Sequence, residues 1–226
     1  VALALAAAAG LFAQSAEGDA LYSSPVAEGG KADVRAVCER LTGKGVMRGD
    51  FAQTKEIRSL ARSFKGRGTF VVSRDDGIVW NTLKPFPSLM VVTAGRIVQS
   101  TGKGKATVLD SGGNPVFEQF AATIRAVFSG DADELFSRFE VYYLAGDGNP
   151  AGEAASNASP ARPWRIGLVP KDSVVRSIIS SIELSGLETL DRFIMSEATG
   201  DKVRYEFSGQ TFSAEPNDDE RKLFAQ

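Results

Sequence analysis

Hydrophobic positions in this chain follow two periods, and the switch between them marks its organisation. Over residues 31–42, Val34, Val37, Cys38 and Leu41 recur at i, i+3, i+4 and i+7, the stripe of an amphipathic helix. Cys38 lies on that stripe and reads as a small buried hydrophobe rather than a reactive thiol. From about 46 to 109 the period shortens to that of strands broken by turns. Residues 48–57 and 58–64 are extended candidates, and Gly66 and Gly68 bend the chain into 69–73. Asp75-Asp76-Gly77 is a hairpin signal leading into 78–83. Pro85 and Pro87 mark a break or an edge, and Ala94-Gly95 joins 88–93 to 96–100. This order is an antiparallel meander, not an alternating β–α–β chain.

The period of 3.6 returns at 115–128. Pro115 suits a first turn, and Phe117, Phe120, Ala121, Ile124, Val127 and Phe128 form one stripe. A short helix over 131–138 follows, with Asp131 as its cap and Asp133 and Glu134 in its first turn. Strands then resume. Residues 139–144 put Phe139, Val141 and Tyr143 on one face, and 164–169 do the same with Trp164, Ile166 and Leu168. Residues 146–163 are a loop by composition. Further strands fall at 178–184, 191–197 and 202–208, where Val203, Tyr205 and Phe207 alternate with Arg204 and Glu206. The total, about nine to eleven strands, suits a strongly curved sheet or open barrel with helices covering one face or mouth.

Composition narrows the chemistry. The chain has 226 residues, 26 basic and 28 acidic, for a net charge of −2, which gives no general reason to expect a nucleic-acid partner. It contains no histidine, which removes Ser-His-Asp and Cys-His catalysis and histidine-based zinc sites. A single cysteine excludes an internal disulfide and a cysteine-clustered metal site. No catalytic set, cofactor motif or metal motif is found. Ser100 and Lys103 satisfy S-x-x-K without its companion motifs, Asn157 opens a formal glycosylation sequon in a loop, and helix capping accounts for Asp131, Asp133 and Glu134. The basic residues Arg58, Arg62, Lys65 and Arg67 alternate along expected strands. They read either as a solvated sheet face or as a patch for anionic headgroups.

Residues 1–13 form an apolar run too short to span a bilayer, followed by the small residues of Ala13-Gln14-Ser15-Ala16. The expectation is a secretory signal peptide over 1–20, truncated at its N-terminus and cleaved near Ser15 or Ala20, with a buried N-terminal helix as the alternative. No cysteine follows the run, so the usual lipid-attachment signal is absent. Residues 21–30 read as a disordered linker, 31–214 as the folded domain and 215–226 as a polar tail.

The segment from Gly49 to Thr93, GDFAQTKEIRSLARSFKGRGTFVVSRDDGIVWNTLKPFPSLMVVT, resembles the opening strands of the LolA family of periplasmic lipoprotein carriers. The shared order is F-x-Q-x-K, a Gly before the third strand, then Arg, Gly and Trp, then a Pro-containing segment. Trp164 to Lys171, WRIGLVPK, resembles the family's W-x-x-x-L-x-P-K strand, and the similarity runs over about residues 31–214. It implies an unclosed β-barrel with a helical lid over a hydrophobic cavity that shields lipoprotein acyl chains. The cavity residues would be Phe51, Phe70, Ile78, Trp80 and Met90 from the first half, and Phe139, Val141, Tyr143, Trp164, Ile166 and Leu168 from the second. Phe117, Phe120, Ile124 and Phe128 would belong to the lid. Arg74, six residues before Trp80, matches the arginine that holds the family's lid shut, although Asp75 follows where the family often has Pro, and Ser63 departs from an Arg-Pro pattern.

The resemblance further implies a soluble, exported, monomeric, non-enzymatic protein of the periplasm, without a cofactor or metal. It would touch membranes transiently, be loaded by an inner-membrane ABC-type release complex and deliver to an outer-membrane acceptor. Three other readings compete: a carrier of another amphiphile such as a glycolipid, an enzyme using carboxylates or Ser/Lys, and a structural envelope protein whose concave face is simply packed.

Overall fold

A computed structural model describes residues 20–42, 45–93, 96–102, 107–110, 123, 126–127, 130–146 and 163–225. One antiparallel sheet of eleven strands dominates it. The first six are β1 (Val46–Ile57), β2 (Arg62–Ser73), β3 (Gly77–Lys84), β4 (Ser88–Val92), β5 (Arg96–Thr101) and β6 (Thr107–Asp110). The rest are β7 (Phe139–Leu144), β8 (Trp164–Pro170), β9 (Ile179–Gly186), β10 (Arg192–Glu197) and β11 (Lys202–Ser213). The spatial order is β6-β5-β4-β3-β2-β1-β11-β10-β9-β8-β7. Two meanders therefore meet at a single seam, β1 on β11, and the sheet stays open, with β6 and β7 as its edges.

The sheet curls. A flat sheet would hold β3 and β11, three strands apart, about 14 Å from each other. Yet the Trp80 and Tyr205 rings meet at 4.9 Å between centroids. Side chains on the concave side form one large apolar cluster that runs from β2–β5 through the seam to β7–β10. Helix α1 (Lys31–Thr42) contributes Val34, Val37 and Cys38 to it, so the helical stripe read from the sequence packs on this face. The short helix α2 (Ala132–Arg138) adds Ala132 and Leu135. Its cap is Asp131, whose carboxylate accepts from the amides of Asp133 and Glu134. Arg35 of α1 bonds Asp133 at 2.6 Å, and Lys31 and Arg35 stand over the Phe136 ring, which ties the two helices together.

The convex side has its own smaller core. Cross-strand pairing aligns Arg48, Val71, Val79, Val91 and Val98 in one row over β1–β5. Helix α4 (Asp218–Phe224) lays Leu223 and Phe224 on that row. Asn217 and Glu220 form a capping box. Glu220 also takes a two-bonded grip from Arg48, Nε to Oε1 at 2.7 Å and a terminal nitrogen to Oε2 at 2.9 Å. A remaining short helix, α3 (Ser173–Arg176), links β8 to β9.

Several sequence expectations change. Gly66 and Gly68 do not interrupt a strand; β2 runs through both. Gly68 is there for close approach, since a Cβ would lie 2.0 Å from the Asn81 carbonyl and 2.7 Å from the Phe51 ring. Residues 58–60 are a 3-10 turn rather than the start of a strand. The end of the chain, read as a polar tail, is α4 with Phe224 9% exposed. The stretch read as a linker is also packed. Leu21 is 1% exposed, the Tyr22 and Tyr142 rings lie 5.1 Å apart, and the Val26 amide donates to the Val141 carbonyl on edge strand β7. The aromatic segment Phe117, Phe120, Ile124 and Phe128 lies outside the described residues, but Thr123, Ala126 and Val127 beside it are helical and buried.

The Arg48 hydrogen bond holds the Glu220 carboxyl below its ordinary value of 4.5; burial opposes this and the Asn217 amide assists it. The folded value is the lower one, so this stabilisation is full above pH 4.5 and is lost as pH falls through the folded value. Glu220→Gln is expected to cost about 2 kcal/mol at neutral pH. It should also flatten the acid limb of a stability-against-pH curve followed by thermal unfolding. An unchanged acid limb would show that this pair does not hold α4.

Candidate functional site

The concave face is built from residues of matching register. Gly49, Phe51, Gln53 and Lys55 of β1 alternate inward. Phe51 faces Phe207 and Gln53 faces Tyr205 on β11. Phe193 of β10 continues the Tyr205 row, and Phe70 faces Trp80 across β2 and β3. Six rings thus gather over five strands. Phe51 stacks on Trp80 at 4.6 Å, Phe70 meets Phe207 edge-on at 5.0 Å, and Phe193 meets Tyr205 at 5.9 Å.

The degree of burial separates two roles within this face. Phe51, Phe70, Phe193 and Phe207 are buried and form its floor. Trp80, Tyr205, Tyr143, Met47, Met90 and Met195 pack on that floor but stay partly exposed. All three methionines of the chain belong to this partly exposed layer. Methionine is unbranched and polarizable, and it adapts to apolar partners of irregular shape. A surface of methionine, tryptophan and tyrosine resting on a rigid aromatic floor is therefore suited to flexible hydrocarbon.

The polar groups of the face sit at its borders. The Gln53 side-chain amide donates to the Tyr205 hydroxyl at 3.1 Å. Burial pushes the Tyr205 phenol up to about 12, the Gln53 bond opposing, so it stays neutral at physiological pH. Lys55 donates to Glu197 at 3.1 Å beyond it. On α1 the Nε of Arg40 is buried without a hydrogen-bond partner among the described residues. Burial pushes the Cys38 thiol up to about 12, with Asp131 and Glu39 adding to the effect, so it is a packing residue rather than a nucleophile. Among the described residues, no group of three or more His, Cys, Asp or Glu could hold a metal ion, and no helix is long and apolar enough to cross a membrane.

The cavity residues expected from the sequence that fall within the described residues come together in one cluster. Phe51, Phe70, Ile78, Phe139, Val141, Trp164, Ile166 and Leu168 are its buried members, and Trp80, Met90 and Tyr143 its partly exposed ones. Trp164 is 4% exposed and its indole N–H donates to the Leu187 carbonyl at 2.9 Å, which makes it part of the scaffold. Met47, Met195, Phe193, Tyr205 and Phe207 share the face and were not singled out as site residues. The alternation of Tyr205 with Phe207 was visible, but its direction needed the β1–β11 register. Arg74 is exposed at the β2–β3 turn, and neither it nor Asp75 has an ion-pair partner among the described residues. The turn is instead tied by the Ser73 hydroxyl, which donates to Asp76 at 2.6 Å.

The architecture defines a mainly β protein whose open, curled sheet carries helices on both faces. No family model matches the chain, and no curated protein matches it. Among solved structures it is similar to a LolA superfamily protein from Nitrosomonas europaea, with a TM-score of 0.46 and 10% identity over 87% of this chain and 97% of that one. It is also similar to a putative outer membrane lipoprotein-sorting protein domain from Vibrio parahaemolyticus, with a TM-score of 0.40 and 11% identity over 86% and 97% of the two chains. A DUF1329 family protein from Desulfovibrio piger gives a TM-score of 0.44 at 7% identity, over 84% and 95%.

The two tryptophans give a direct readout of the face. An acyl ligand is expected to shift the fluorescence of the protein to the blue through Trp80, and Trp80→Phe should abolish the shift. A shift that survives in Trp80→Phe would move the binding surface elsewhere.

Proposed function

We propose that the protein is a carrier that takes acyl chains of lipoproteins onto the concave face and moves them through the periplasm from the inner to the outer membrane. The observation that carries this reading is the partly exposed layer of Met47, Met90, Met195, Trp80 and Tyr205 on a buried aromatic floor inside an unclosed sheet. The motif order over Gly49–Thr93 and Trp164–Lys171 supports the same reading. Among the described residues the face offers apolar contact with polar groups at its borders, which suits binding.

The energetics favour an open, adaptable surface over a sealed trap. Each buried methylene is worth about 0.8 kcal/mol, so an acyl chain of about 16 carbons is worth roughly 12 kcal/mol gross. Cargo of that kind does not cross water unaided, and it must still be released. Displacing helices packed over the concave face would offset part of the gain. In this reading Arg74, exposed at the β2–β3 turn, takes the latch role that the resemblance implies, with the segment containing Phe117, Phe120, Ile124 and Phe128 as the lid.

The test is release of labelled lipoprotein from spheroplasts by the purified protein. The expected result is an acylated lipoprotein in a one-to-one soluble complex. Arg74→Leu should load as well or better and deliver more slowly to acceptor membranes. No released lipoprotein beside a working control carrier would contradict the carrier reading, and normal delivery by Arg74→Leu would remove the latch.

A further inference from the structure

Of the large apolar side chains exposed among the described residues, most gather at one end of the sheet; Val108 on edge strand β6 and Leu187 after β9 are the exceptions. Leu60 (57%) and Phe64 (52%) lie on the β1–β2 hairpin, and Leu83 (48%) and Phe86 (82%) lie at the adjoining β3–β4 turn. Both connections stand at the same end of the sheet, because β1 pairs with β2 and β2 with β3. Val174 and Ile178, also exposed, lie between β8 and β9 at that end as well. Phe86 is held between Pro85 and Pro87, so little backbone freedom remains to be lost when it is buried.

The charge of the β1–β2 hairpin and the β3–β4 turn is one-sided, although acids stand nearby at the same end: Glu56 precedes the hairpin, and Asp201 of the β10–β11 turn accepts from the Arg58 backbone amide. Residues 58–67 contain Arg58, Arg62, Lys65 and Arg67 and no acid, and Lys84 adds a fifth cation at the turn. All five are exposed. None has an ion-pair partner among the described residues, whereas Arg48 and Arg165 elsewhere on the sheet, and Lys55 beside the hairpin, are each paired with a carboxylate. Arg67 and Lys84 even stand directly opposite each other across β2 and β3, a like-charge pairing that costs stability. This concentration of positive charge occurs in a chain of net charge −2.

Exposed aromatic and aliphatic side chains set among unpaired cations match a bilayer interface of anionic lipid: the cations meet headgroup phosphates and the apolar groups enter the acyl boundary. We propose that this rim, the β1–β2 hairpin with the β3–β4 turn, docks the protein on an anionic lipid bilayer. The hairpin also continues the concave face. Phe64 pairs with Lys55, which shares its side of β1 with Phe51 and Gln53. Docking by the rim therefore brings the end of that face to the membrane surface. The docking itself needs only the rim and stands independently of what the concave face carries.

The test is flotation of the purified, cargo-free protein with vesicles of phosphatidylcholine alone or containing phosphatidylglycerol. Binding is expected only with the anionic vesicles, and it should weaken as salt is raised. Neutralising four cations together, Arg62→Gln, Lys65→Gln, Arg67→Gln and Lys84→Gln, should weaken partitioning about 100-fold or more. Phe86→Ser should weaken it about tenfold. The control, Arg221→Gln with Lys222→Gln on α4, should bind as the unaltered protein does. All the altered side chains are exposed, and far-UV circular dichroism checks that each variant is folded. Absence of flotation with anionic vesicles, equal binding to both vesicle types, or binding that survives the four-fold neutralisation would overturn the proposal. Protein that docks but binds no acylated peptide removes the carrier reading alone; protein that binds acylated peptide but does not dock removes the rim alone.

Discussion

The pairing of β1 with β11 is the constraint on which the rest of the structure depends. It joins ten residue pairs, from Val46 with Ser213 to Glu56 with Lys202, between segments near opposite ends of the folded chain. Every other strand pairing joins neighbours in sequence order, so each meander forms from local contacts while the seam must close the longest loop. Closing it sets Phe51 against Phe207 and Gln53 against Tyr205. Those contacts place the rings from both meanders on one floor. Without the seam the chain would hold two smaller sheets, each with half of an apolar face open to water.

Curvature then divides the molecule into two unequal surfaces. The convex face is closed by α4, which is clamped by the Arg48–Glu220 pair over a row of valines. The concave face is covered in part by α1 and α2, and its exposed layer is methionine, tryptophan and tyrosine rather than valine. The difference is chemical as well as geometric. Branched aliphatic side chains fill a fixed space, whereas the side chains left accessible on the concave face adapt to what touches them. The two ends of the sheet differ too. The β2–β3 turn carries Arg74, and the opposite end carries the cationic, apolar rim. The proposed cargo surface, latch position and membrane-facing edge would thus occupy separate parts of one sheet.

Much of the fold was legible in the sequence because hydrophobic alternation reports local structure. The meander, the α1 stripe and the inward sets Phe139/Val141/Tyr143 and Trp164/Ile166/Leu168 follow from hydrophobic periodicity, and the Asp131 cap from the acids of its first turn. What escaped the reading depends on contacts between distant residues. Gly68 looks like a strand breaker until Phe51 and the Asn81 carbonyl are seen pressed against it. Helix α4 is mostly charged, and only Leu223 and Phe224 at its end hint that it packs. Leu21 and Tyr22 sit in a polar stretch and find their partners on β7–β9. Met47 and Met195 lie in strands whose inward side is fixed only by the seam. The site was therefore half visible: Phe51, Phe70, Trp80 and Met90 could be named, but Phe193, Tyr205, Phe207, Met47 and Met195, whose facing depends on the seam, could not.

The central claim is that the concave face receives acyl chains, and the three methionines allow it to be tested without altering the protein. The chain would be labelled with carbon-13 at the methionine methyl groups and titrated with a lipopeptide and with the same peptide lacking its acyl groups. The account predicts that the signals of Met47, Met90 and Met195 all move with the lipopeptide and stay fixed with the bare peptide. Methyl signals that stay fixed when the lipopeptide binds, or that move equally with both peptides, would contradict it.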